Sequence, residues 1–270
     1  MVTEFEFELH QVGTAAMIVD LVYPANEAAG ALARWRDQLG EAPPRATLTA
    51  WVGTAGAWPF LPPELHGRSV ASVGYVWVGD PDEGRGLAGA LRVGRPAAER
   101  VQELSYLQLQ SIDDSVEGHR VRRYWKGHYL RELGDDAIQA FLSRGQGDAD
   151  DDAALLPSGS LQGYGGAIAT VADEATAFSH RDALVEFVGV AGWTDPAEDE
   201  AWIAAARRYG AAVEPFSSGV YVNDLADEGQ AGIRRAYSPA KLARLTAVKD
   251  RYDPDNVFHL NHNIRPSSMS

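Results

Sequence analysis

Hydrophobic residues along this chain switch repeatedly between a period of two and a period near 3.6. Phe5, Phe7 and Leu9 alternate with Glu6, Glu8 and His10, which predicts a strand close to the first residue. Met17 to Tyr23 predicts a second, more apolar strand. Pro24-Ala25-Asn26 opens a predicted helix to about Leu39, with Leu32, Trp35 and Leu39 on one stripe and Gly40 as a stop. Thr47 to Val52 and Val70 to Val78 read as strands. Asp80-Pro81 then supplies a capping carboxylate and a first-turn proline for a helix to about Leu91.

The second half has the same style. Asp135 to Leu142 reads as a helix, Leu161 to Val171 as a glycine-interrupted strand and Leu184 to Ala191 as another strand. Glu198 to Tyr209 reads as a helix and Gly219 to Asn223 as a short strand. Ser238-Pro239 caps a last helix carrying Leu242, Leu245 and Val248, ended by Pro254. Strands interleaved with helices predict an α+β fold, an antiparallel sheet with helices over one face.

Composition narrows the function classes. The chain has 270 residues, 45% hydrophobic residues and seven Trp, enough for a sizeable core. Its formal charge of −14 argues against nucleic acid and anionic membranes as partners, because phosphate-rich surfaces need a basic face. With no cysteine there is no disulfide framework, thiolate metal site, cysteine nucleophile or thioether-linked cofactor. No apolar run approaches the ~20 residues of a membrane span. The N-terminus lacks a basic region followed by an apolar core, so a cytoplasmic protein is the expectation.

Several motifs resemble chemistry without supporting it. The acidic run Asp148 to Asp152 lacks the glycine and glutamate of a calcium loop and reads as a solvated turn. His259 and His262 lack a third ligand, so no metal site is predicted. Ser179-His180-Arg181-Asp182 cannot form a triad, whose members must converge from separate elements. The chain carries no phosphate loop and no Gly-rich fingerprint leading from a strand into a helix.

Glu186 is more informative. On the strand from Leu184 to Val190, period two puts it on one face with Leu184, Val188 and Val190. A carboxylate there is either at a wet sheet edge or a functional group with a raised pKa. Asp224, after Tyr221-Val222-Asn223, is a polar cluster at the end of a short strand; a plain turn is the alternative.

The C-terminal run Lys249, then Tyr252-Asp253-Pro254-Asp255-Asn256-Val257-Phe258-His259-Leu260-Asn261-His262-Asn263-Ile264, resembles the K-x-x-Y-D-P-x-N-x-F-x-x-N-Q-N-I signature of the berberine bridge enzyme-like FAD-linked oxidoreductases, within the vanillyl-alcohol oxidase-type flavoproteins. His262 replaces the usual Gln. Further matches follow in order: Tyr124-Trp125-Lys126-Gly127-His128-Tyr129-Leu130, Tyr164-Gly165-Gly166-Ala167, Thr176 to Ala183, Trp193-Thr194-Asp195-Pro196, and Tyr221-Val222-Asn223 with Asp227-Glu228-Gly229 and Ala236-Tyr237. The resemblance covers nearly the whole chain. It implies FAD as cofactor, oxidation of a small organic substrate by hydride transfer to the flavin, and an antiparallel substrate domain closing over the flavin. On it, residues 1–237 read as the substrate domain and 238–270 as a helix and tail that pack on a flavin domain.

That flavin domain, N-terminal in the family, has no counterpart here. The expectations are therefore a truncated or frameshifted reading frame, or a split enzyme whose FAD-binding domain is a separate partner. The chain alone is not expected to hold FAD tightly; a non-catalytic small-molecule-binding or remnant domain is the alternative. The family's catalytic positions also differ: Val188 stands five residues before Trp193, where plant members place Glu or Gln, and Asp224 stands where many carry Tyr or His after Y-x-N. Asp224 and Glu186 are the candidate bases, with Tyr221 beside them. Tyr106, Gln110, Gln162 and Asn223 are the substrate-binding candidates. Tyr252, Asn261 and Asn263 are the candidates for the flavin side; two residues apart on an extended strand, the two asparagines would aim the same way.

Overall fold

The computed structural model describes residues 3–112, 114, 121–146 and 155–269; the acidic run Asp148 to Asp152 lies outside them. Seven strands form one antiparallel sheet: β1 (Ala15–Pro24), β2 (Ala46–Thr54), β3 (Ser69–Val78), β4 (Ala98–Ser105), β5 (Arg122–Leu130), β6 (Ser158–Gly163) and β7 (Val185–Trp193), in the spatial order β4-β1-β3-β2-β6-β7-β5. The helices are α1 (Ala29–Asp37), α2 (Pro81–Leu91), the short α3 (Tyr106–Gln110), α4 (Asp135–Ser143), the turn α5 (Ala167–Thr170), α6 (Asp199–Val213), α7 (Gly229–Ala236) and α8 (Pro239–Tyr252).

Strand alternation separates two faces. Met17, Val19, Leu21, Leu48, Ala50, Val73, Tyr75, Leu161, Val185 and Phe187 point to one side and pack under α1, α2, α4 and α6 with Trp35, Phe141 and Tyr209. Each large side chain buried there contributes roughly 1.5–3 kcal/mol. Helix starts follow the capping residues read from the sequence. The Asp80 carboxylate accepts from the Asp82 amide at 3.0 Å, and the Ser238 hydroxyl from the Lys241 amide at 3.3 Å. The opposite face carries Asp20, Ser72, Thr49, Gln162, Glu186 and Tyr129, and those four main helices leave it uncovered.

Three sequence expectations are corrected. Residues 3–13 form no strand. Both edges of β1 are taken by β3 and β4, and Phe5 only stacks on Phe7 at 5.7 Å. The expected strand from Leu161 to Val171 ends at Gly163, because Gly166 at φ +52° turns the chain into α5. Gly219 to Asn223 gives a single bridge, Tyr129 to Gly219, before a 3-10 turn at Val222–Asp224. Pattern reading also passed over β4, where Glu99 and Glu103 point to the helix side and pair with Arg92 and Arg85 at the edge of α2. A charged side chain on the covered face breaks the alternation that marks a strand.

Candidate functional site

The register lines up one residue from each of the seven strands. Arg100, Asp20, Gly74, Thr49, Gln162, Glu186 and Tyr129 face one another in turn from β4 across to β5. Glu186 is the centre of the β7 end of this row. Its Oε2 accepts from the Tyr164 hydroxyl at 2.8 Å, while its Oε1 is buried without a partner.

Asp224 reaches the same spot from the 3-10 turn that leaves Gly219. The turn can lie against β5 only because residue 127 is glycine: a Cβ there would stand 2.5 Å from the Asp224 Cβ and 2.9 Å from its Oδ2. Asp224 Oδ2 is likewise buried without a donor. The Asp224 and Glu186 carboxyls lie near enough for the Glu186 charge to favour a proton on Asp224. Burial first, and the Glu186 charge second, raise the Asp224 pKa from the ordinary carboxylate range to about 7.

Two phenols complete the cluster. Tyr129 is buried with its ring 5.3 Å from Tyr164, and its hydroxyl makes no hydrogen bond. Burial pushes both phenols above the ordinary tyrosine value, so both stay neutral donors. Buried polar atoms are nearly always satisfied in folded proteins. Here two acceptors and one donor are left over within one cluster on the uncovered face, which suits a place that a ligand completes.

An ionic clamp holds the segment after Asp224. Lys126 on β5 pairs with Glu228 and lies 3.7 Å from Asp227. Arg207 on α6 pairs with Asp227, and Tyr124 donates to Asp227 at 2.7 Å. Burial works against the charge on Lys126, but Glu228 outweighs it and the Lys126 pKa is raised. Arg235 on α7 donates to His128 Nδ1 at 2.8 Å. An arginine cannot accept, so Nδ1 is the acceptor and Nε2–H donates to the Gly210 carbonyl at 3.0 Å. Burial, then the Arg235 charge, lower the His128 pKa to about 4 and keep it neutral.

Asp224 and Glu186, distant in sequence, are therefore brought together. Gln162 faces Glu186 across the β6–β7 ladder. Tyr221 and Asn223 sit on the same turn and bond each other at 2.7 Å, and Tyr221 packs 5.9 Å from Phe178. Tyr106 and Gln110 are not part of this group: they lie on α3 beyond β4, at the opposite edge of the sheet. On the tail, Tyr252 is exposed, and Asn261 has φ +58°, so the chain bends there instead of extending. The two asparagines separate accordingly. Asn261 lines a cavity of about 520 Å³ with Asn223 and His262, while the Asn263 carbonyl accepts from Gln230 at 2.9 Å. The His259 ring bonds the Val257 carbonyl at 3.0 Å. Sequence reading missed Tyr129, Tyr164, Gly127 and His128 as site residues, although all four lie inside the motifs quoted for the family; only their convergence on Asp224 or its clamp gives them a role.

Comparison with known proteins supports the same family. Residues 220–265 match the family described as "Berberine and berberine like". The chain is 34% identical over 104 residues to the FAD-linked oxidoreductase YvdP of Bacillus subtilis, covering 38% of this chain and 23% of that protein. It is 30% identical over 189 residues to the aclacinomycin-N/aclacinomycin-A oxidase of Streptomyces galilaeus, covering 63% and 34%. Its fold is similar to BBE-like #28 from Arabidopsis thaliana, with a TM-score of 0.75 and 18% identity over 93% of this chain and 56% of that one. The chain thus spans well under half of these curated relatives in sequence, and about half of the solved chain in fold. Among the described residues no helix is long and apolar enough to cross a membrane. Over the part it spans, the chain is similar in sequence to FAD-linked oxidoreductases, carries a berberine-like segment at residues 220–265, and has a fold similar to that of a BBE-like protein.

Proposed function

We propose that this chain supplies the substrate wall and the proton acceptor of an FAD-dependent oxidoreductase acting on a small organic substrate. The observation that carries the reading is the Asp224–Glu186 pair: two partnerless carboxyl oxygens on the uncovered sheet face, with the Asp224 pKa raised to about 7. Those oxygens and the idle Tyr129 hydroxyl fit the reacting end of a flavin–substrate pair. Nothing among the described residues fits the pyrophosphate end, since no Gly-rich turn leads from a strand into a helix. The bulk of the FAD cradle therefore belongs to protein outside these 270 residues, in the same polypeptide or a separate one. Of the three tail candidates Tyr252, Asn261 and Asn263, Asn261, which lines a cavity with Asn223, is the one that would face the ring's polar edge.

The flavin, when bound, supplies the acceptor for a hydride from the substrate carbon. Asp224, ionised near neutral pH, takes the proton from the substrate heteroatom as the hydride leaves. Glu186 keeps that carboxylate basic through its own charge, and Tyr164 holds Glu186 in place. Tyr129 offers its hydrogen to the substrate.

In the holoenzyme reconstituted with its flavin-binding part, Asp224→Asn should slow substrate-dependent flavin reduction by about 10²-fold or more, with little change in substrate Kd. Reduction at the wild-type rate would remove Asp224 as the base. Titrating the 270-residue chain alone with FAD should leave the flavin spectrum unchanged; a yellow protein retaining FAD through gel filtration would refute the division of the site.

A further inference from the structure

A second built site lies on the same open face. Trp51, Trp58, Phe60, Val22, Val70 and the Asp20–Arg100 pair enclose a cavity of about 260 Å³. Trp58 stacks on Phe60 at 5.8 Å with 12° between the planes, and Trp51 stands 5.7 Å from Trp58. The Trp51 indole lies flat along its own strand because Gly53, two residues on, has no side chain: a Cβ at 53 would fall 2.1 Å from the Trp51 ring. Across the cavity, Arg100 donates through Nε to Asp20 at 2.7 Å and holds its guanidinium 5.5 Å over the Phe60 ring. Nothing derived for the carboxyl pair uses these residues.

We propose that this cavity is a subsite for a flat aromatic ring bearing a hydrogen-bond acceptor, and that it selects substrates by their non-reacting end. The inference rests on the oxidoreductase reading for the word substrate, but the binding it predicts does not need a flavin. Two indoles and a phenyl ring offer π-faces and edges to a planar guest, and the guanidinium edge meets an oxygen on it. A sugar would need several polar partners around one aromatic platform. Here the polar groups are one ion pair, already mutually satisfied, and the buried Ser72. The volume is below the ~300–1,000 Å³ of sites that take a whole ligand, so only part of a molecule enters.

Its position fixes a length. Trp51 pairs with Ser160, and Ser160 with Val188, two residues from Glu186. At ~4.8 Å between strands and ~3.3 Å per residue, Trp51 and Glu186 stand about 12 Å apart on one surface. Thr49 and Gln162 form the polar floor between them. The substrate class that follows is elongated, with an aromatic end about 12 Å from the carbon that is oxidised.

Saturation-transfer NMR on the 270-residue chain, with 2-naphthol as the probe, tests this directly. The naphthol ring protons should receive saturation, and the Kd should weaken at least fivefold in Trp58→Ala and in Gly53→Ala. Leu107→Ala, exposed on α3, is the control. A dispersed amide spectrum shows that each variant is folded. Equal transfer in wild type and both variants would overturn the proposal, as would stronger transfer to methyl glucoside than to 2-naphthol. In the reconstituted holoenzyme 2-naphthol should compete with substrate; absent or non-competitive inhibition would show that the cavity is filled by protein or lies off the substrate path. A failed Asp224 test would leave the naphthol result standing, and a failed naphthol test would leave the Asp224 result standing.

Discussion

At the residue scale the decisive fact is that the Asp224 carboxyl is buried beside a second carboxyl, that of Glu186. The proton retained by Asp224 sets two opposite pH dependences. As a base Asp224 works only when ionised, so kcat/KM of the holoenzyme should rise with pH and level off above about 7. Asp224→Asn should flatten that rise. Stability runs the other way. Below the ordinary carboxylate value of ~3.9 the folded and unfolded chains both hold the proton. Between there and about 7 the unfolded chain releases it while the folded chain keeps it, so the fold loses stability as pH rises through that window. Thermal unfolding of the chain should therefore show Asp224→Asn with a higher Tm than wild type at pH 8, and the gap should close by pH 4. A gap independent of pH would mean that the carboxyl pair is not strained by its charge.

At the element scale, the candidate base is held by an irregular turn, and strand β5 gives that turn its precision. Gly127 lets the turn approach, Tyr129 bridges to Gly219, and Lys126 and His128 bind the segment and helix that follow. Side chains alternate along β5, so Gly127 and Tyr129 meet the turn on one face while Lys126 and His128 reach α6 and α7 on the other. Gly127→Ala should push Asp224 off β5. Flavin reduction in the holoenzyme should slow at least tenfold, with a Tm loss of only a few degrees, because the main hydrophobic core is untouched. Unchanged reduction in a folded Gly127→Ala protein would separate the position of Asp224 from catalysis.

At the scale of the whole molecule, one sheet face is covered by helices and the other is not. Large apolar side chains on the tail are exposed as well: Val257 at 67%, Phe258 at 71% and Leu260 at 78%. Apolar groups clustered this way mark an interaction surface. If they pack on the flavin-binding part, Phe258→Asp with Leu260→Asp should abolish reconstitution of the holoenzyme, measured as recovered flavin absorbance. The chain's own Tm should change by less than about 2 °C, since neither residue is buried within it. Full reconstitution by the double variant would move the interface elsewhere.

Much of the architecture was legible along the chain. Period-two runs marked β1, β2, β3 and β7, and Asp80-Pro81 and Ser238-Pro239 marked the starts of α2 and α8, because burial of one face and capping are local demands. The motif residues carried the family resemblance; Glu186 stood out as a carboxylate on an apolar strand face and Asp224 as a departure from the family's motif. What the sequence could not show was that they meet. They are 38 positions apart, and their approach depends on a strand order that places β5 beside β7 and on a glycine that lets a turn lie against it. The bend at Asn261, the separation of Tyr106 and Gln110 from the pair, and the stacking of Trp51, Trp58 and Phe60 were decided in the same way. A sequence records what each residue prefers to bury and where a helix can begin. A raised pKa, orphaned oxygens and a shaped cavity are properties of distances between residues far apart in the chain, and only the packed sheet sets those distances.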